Sequence, residues 1–126
     1  MDTKSVAQLC VLVAENVDAF NGNCAQFAYT FAKFLGEENC EFIIAENDEI
    51  PEACFHVAFK YKGRIFDGNG FTTIREVKRY GIDEEQGSPI IVKLPVIEDH
   101  IWYVCRYTDW DMESDEILAV IKSLTA

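Results

Sequence analysis

Three side chains have the types and spacing for one piece of chemistry. Cys24 stands in "NGNCAQFAYTFAKFLG" (21–36), where a polar segment turns into an amphipathic helical pattern. A thiol in the first turn of a helix meets backbone N–H groups that lack intrahelical partners, and these, with the helix dipole, favour a thiolate. His56 and Asp67 lie in "CFHVAFKYKGRIFDGNG" (54–70), two runs of strand formers joined at Lys62-Gly63. If those two residues form the turn of a two-residue hairpin, Tyr61 pairs with Arg64 and every pair sums to 125. Ala58 then faces Asp67 and His56 faces Asn69, so His56 and Asp67 are diagonal neighbours on one face, with Cα atoms roughly 7–8 Å apart. Such a carboxylate can fix the imidazole tautomer and stabilise its charged form, and the imidazole can take a proton from a thiol. The chemistry is acyl transfer through a thioester. Each residue also has a plainer reading. Cys24 tops an apolar stripe, His56 is a surface strand histidine beside Lys60, and Asp67 heads the turn sequence "DGNG".

The elements that must bring these residues together follow from periodicity. Residues 5–20 repeat Val6, Leu9, Cys10, Val13, Val17 and Phe20 at helical spacing, with Thr3 or Ser5 as the cap. A second helix runs from Cys24 to Leu35 and ends at Gly36, burying Cys24, Phe27, Ala28, Phe31 and Leu35, with Phe34 widening the stripe. "CEFIIAE" (40–46) reads as a strand. In the hairpin, Phe55, Val57, Phe59 and Tyr61 share one face, while His56, Ala58 and Lys60 share the other. A short helix is expected from Thr73 to Tyr80, capped by Thr72 or Thr73 with Glu76 completing a capping box. Strands follow at 89–95 and 100–107, the first bracketed by Pro89 and Pro95. A last helix begins near Ser114 with Ile117, Leu118, Ile121 and Leu124 inward. Early helices, later antiparallel strands and a C-terminal helix define an α+β fold, expected as one domain over 1–126.

In order and local context, "GNCAQFAYTFAKFLG" followed by "FHVAFKYKGRIFDGNG" resembles the papain-like superfamily of thiol hydrolases, most closely its small NlpC/P60-type amidase and peptidase domains. The resemblance covers roughly residues 20–71, and transglutaminase-like domains share the same cysteine, histidine, aspartate order. It implies N-terminal helices packed on an antiparallel sheet, with Cys24 as nucleophile, His56 as general base and then acid, and Asp67 as the orienting group. Papain-like enzymes often carry an oxyanion-stabilising glutamine several residues before the cysteine, where this chain has Asp18 and its neighbours. That role passes to Gln8, Asn21, Asn23 or backbone N–H groups near Cys24.

Composition restricts the remaining classes. With 11 basic and 22 acidic residues, the net charge of −11 opposes direct binding to nucleic acid or to an anionic membrane. The N-terminal apolar run is short and lacks a basic start, so a cytoplasmic location is expected. Five cysteines without a C-x-x-C pair suggest neither disulfides nor a zinc site. No cofactor or metal is expected: His100 beside Glu98 and Asp99 matches no zinc spacing, and the acidic loops lack calcium-ligand alternation. Trp110, between Asp109 and Asp111, has the make-up of an interface anchor with a carboxylate rim. Two classes of function stand at this level. One is a thiol-dependent hydrolase or acyl transferase acting on a peptide or other amide. The other is a non-catalytic acidic module or inhibitor that binds the basic, nucleic-acid-binding surface of a protein partner.

Overall fold

Lys62 and Gly63 set the register on which the sheet is built. In the computed structural model, which describes residues 1–17, 19, 24–49, 54–81, 87–100 and 114–125, both have positive φ, 48° and 77°. This is the backbone of a type I′ turn, whose twist matches that of the flanking strands and which glycine adopts without steric cost. Strands β2 (Cys54–Tyr61) and β3 (Arg64–Asp67) pair as expected, Tyr61 with Arg64 and Phe59 with Phe66. With β1 (Cys40–Asn47), β4 (Gly70–Thr72) and β5 (Pro89–Pro95) they form an antiparallel sheet in the order β4-β3-β2-β1-β5.

One face of the sheet carries the main core. Phe59 and Phe66 stack with ring centroids 5.3 Å apart, and Phe31 of helix α2 (Cys24–Leu35) lies 5.5 Å from Phe59. Phe27 joins the same aromatic column at 4.9 Å from Phe31. Helix α1 (Thr3–Ala14) adds Val6, Leu9, Cys10 and Val13, and the C-terminal helix α4 (Ser114–Thr125) adds Ile117 and Ile121. The opposite face buries Ile43, Ala45 and Ala58 against Val77 of the short helix α3 (Ile74–Arg79). The α+β architecture is therefore the one read from the periodicities, helices and an antiparallel sheet with a helix at the C-terminal end.

Four details differ from expectation. Helix α1 is capped by Asp2, whose carboxylate accepts the Ser5 N–H at 2.7 Å, in place of Thr3 or Ser5. An aspartate one residue upstream reaches the free amides better than hydroxyls already inside the first turn. The helix ends at Ala14 because the Asn16 amide donates to the Leu12 carbonyl and takes over a helical acceptor, although Val17 beyond it stays buried. "DGNG" is more than a turn: Asp67 pairs with Gly70 and opens β4, whose three residues are too few to show a period. In α4 the buried stripe is Ile117 and Ile121 alone, with Leu118 half-buried and Leu124 42% exposed in the last turn.

A fifth difference bears on the site. Val57, Phe59 and Tyr61 do share the helix-facing core, but Phe55 packs with Ile43 and Ala58 on the other side. The cause is a β-bulge: Ala45 pairs with His56 and Glu46 with Cys54, leaving Phe55 as the extra residue. The expected strand at 100–107 and the Asp109, Trp110 and Asp111 cluster lie outside the described residues. Among the described residues no helix is long and apolar enough to cross a membrane.

Because Phe31 is fully buried between Phe27 and Phe59, Phe31→Ala is expected to cost about 3–5 kcal/mol in urea unfolding. Leu124→Ala, on the exposed turn of α4, is expected to change stability by less than about 0.5 kcal/mol. Comparable losses for the two would contradict the core described above.

Candidate functional site

His56 stands next to the bulged residue of β2, in register with Ala45 of β1. Its imidazole is 2% exposed, and its Nε2 lies 3.0 Å from Oδ2 of Asp67, itself 3% exposed. The diagonal pairing read from the hairpin register is thus a direct hydrogen bond. An ionised carboxylate only accepts, so Nε2–H is the donor and Nδ1 is left for other work. Asp67 is in turn held in place. Its second oxygen, Oδ1, accepts the backbone N–H of Asn69 at 2.9 Å, an Asx turn closing the β3–β4 corner. One carboxylate therefore orients the ring and shapes the loop next to it.

Cys24 opens α2, as the sequence pattern placed it, and is half-buried at the edge of the main core. Its side chain hydrogen-bonds with His56. Three elements, the first turn of α2, the bulged strand β2 and the end of β3, thus bring Cys24, His56 and Asp67 into one connected set. The charge balance fits that arrangement. Burial works against the imidazolium, but the hydrogen bonds to Asp67 and Cys24 and the negative charge of both outweigh it, holding His56 up to about 9. The other core thiols behave differently. Burial, aided by the nearby Asp67 charge, pushes Cys10 far up, and burial likewise pushes Cys40 up to about 12. Both act as small apolar residues.

Beside Asp67 a cleft of about 440 Å³ opens between β4 and α3, lined by Asn69, Phe71, Glu76, Arg79 and Tyr80. It provides space next to the carboxylate end of the set. Of the residues assigned an oxyanion role, Gln8 is exposed on α1 and borders a second, shallower depression of about 620 Å³ with Val11, Leu12 and Phe71. Asn21 and Asn23 fall outside the described residues, as does Asp18. His100 uses Nδ1 on the Pro95 carbonyl at 2.9 Å, and among the described residues no three His, Cys, Asp or Glu side chains gather as a metal site.

Sequence reasoning passed over Tyr80 and Asn69. The Tyr80 ring stacks on His56 with centroids 3.9 Å apart, and its side chain hydrogen-bonds with that of Asn69. The available signal was weak: an aromatic residue directly before Gly81 at the end of a short helix. No protein-family model matches the chain, and no curated protein or solved structure is significantly similar to it.

The raised His56 value makes stability depend on pH in a definite sense. The folded group binds its proton more tightly than the unfolded one, so its contribution is complete below about 6.5 and is lost as pH rises through about 9. Asp67→Asn removes the main charged partner. The difference in Tm between wild type and this variant is expected to be largest near about pH 6 and to narrow toward about pH 10. A difference that does not vary with pH would contradict the ion pair.

Proposed function

We propose that the chain is a thiol-dependent amide hydrolase or acyl transferase of papain-like type, with Cys24 as nucleophile, His56 as base and acid, and Asp67 as orienting group. The observation that carries this reading is the hydrogen-bonded series from Cys24 to His56 to Asp67, assembled from three separate elements. A core cysteine, a strand histidine and a turn aspartate with unrelated duties have no reason to meet in this order.

The proposed cycle starts from the pair in which the Cys24 proton already rests on Nδ1 of His56, a thiolate beside an imidazolium, as the raised His56 value favours. The sulfur attacks the carbonyl carbon of the amide, and the resulting oxyanion is met by backbone N–H groups at the start of α2. Collapse breaks the C–N bond, and the imidazolium gives its proton to the departing amine, leaving a thioester on Cys24. Water, or a second amine in a transferase, then attacks the thioester while His56 takes its proton. The second collapse releases the acyl product, and the sulfur leaves as a thiolate beside the imidazolium. Asp67 stays ionised throughout, keeping Nε2 protonated so that Nδ1 faces the sulfur. Both carboxylate oxygens are already engaged, one by His56 and one by Asn69, which favours that fixed role. The net charge of −11 favours basic peptides as partners or substrates over acidic ones.

Cys54 supplies an internal control, because it is exposed while Cys24 is only half-buried. Ranking by exposure alone makes Cys54 the faster thiol toward iodoacetamide. The proposed function predicts the reverse, with Cys24 at least about tenfold faster when the modified peptides are followed by mass spectrometry. In His56→Ala the Cys24 rate is expected to fall to that of Cys54 or below. Preferential labelling of Cys54 in the wild type, or no response to His56→Ala, would end this reading.

A further inference from the structure

His56 is held at Nε2 by Asp67, but hydrogen bonds at the edge of a ring leave its faces open to water. One face is covered. Tyr80, the C-cap of α3, lies nearly parallel to the imidazole, with 15° between the planes and 3.9 Å between centroids. Its hydroxyl group is bonded to the Asn69 side chain, and the Asn69 backbone N–H donates to Asp67. The contacts close a ring: His56 to Asp67, Asp67 to Asn69, Asn69 to Tyr80, and Tyr80 back to His56.

The end of α3 is held against β2 by a second contact. A Cβ at Gly81 would collide with the ring of Phe55, so only glycine lets the helix end come this close to the bulge. Phe55, the bulged residue next to His56, thus also seats the residue after Tyr80. Core packing does not account for Tyr80 itself, because it remains 40% exposed and forms a wall of the cleft beside Asp67.

We propose that Tyr80 is a positioning residue for His56: its ring holds the imidazole plane and keeps cleft water off the His56–Asp67 hydrogen bond, with Asn69 as its anchor. The π face also favours the charged imidazole that a thiol-to-imidazole proton transfer creates. The catalytic consequence rests on the thiol-hydrolase reading above; the shielding itself does not. A molecule in the cleft would meet Tyr80, so the same ring also borders the space beside Asp67.

The test reads the resting protein by NMR, through the exchange of the His56 Nε2 proton with water. In Tyr80→Leu, which keeps apolar bulk but loses the flat ring, exchange is expected to accelerate by about tenfold or more. Tyr80→Phe retains the stack and gives up only the bond to Asn69, and is expected to stay within about threefold of wild type. If Tyr80→Leu fails to fold, Tyr80→Gln replaces it with the same expectation. Unchanged exchange in a folded Leu or Gln variant would overturn the proposal, as would equal acceleration in Phe and Leu. Loss of protection alongside an inert Cys24 would uphold the positioning role while removing the hydrolase, so the two failures are distinguishable.

Discussion

Taking an imidazole and a carboxylate out of water costs several kcal/mol for each charge unless the two satisfy one another. The His56–Asp67 hydrogen bond meets that requirement, and much of the surrounding structure serves to form it. The pair sits on adjacent strands with almost no solvent exposure, so its geometry is set by the backbone. The type I′ turn at Lys62-Gly63 fixes which residues of β2 and β3 are diagonal neighbours. A slip of one residue would send one partner to the helix-facing core, among the rings of Phe59 and Phe66. The aromatic column of Phe27, Phe31, Phe59 and Phe66 thus guards the register as well as stabilising the fold.

The same constraint separates the thiols. Cys10 and Cys40 are in the core, where burial holds the proton on sulfur, while Cys54 is exposed and its thiol donates weakly to the His56 carbonyl at 3.6 Å. Cys24 alone among these four combines partial exposure, a helix start and an imidazole partner. Environment, not residue type, marks it as the candidate nucleophile.

The parts legible in the sequence are those governed by short-range rules. Helix α2 begins at Cys24 and ends at Leu35 as its stripe indicates, and the hairpin register follows from two turn residues. His56 and Asp67 could be paired for that reason. The bulge at Phe55 was not legible, because it depends on how β1 pairs with β2, and an alternating pattern conceals one extra residue. Tyr80 was hidden for a related reason: its contact with His56 joins α3 to β2 across the sheet, and no local spacing encodes it. The meeting of α2 with β2 was likewise a tertiary matter, on which the sequence offered the two ends of a contact and not the contact.

Convergence of Cys24 on His56 is the central claim, and the titration of His56 reports on it directly. Following the ring by NMR against pH in wild type and in Cys24→Ala isolates the contribution of the sulfur. The account predicts a midpoint near about 9 in the wild type and a clearly lower one in Cys24→Ala, since the hydrogen bond and charge from Cys24 both raise it. Coincident midpoints in the two proteins would show that the thiol and the imidazole do not interact, and would contradict the account.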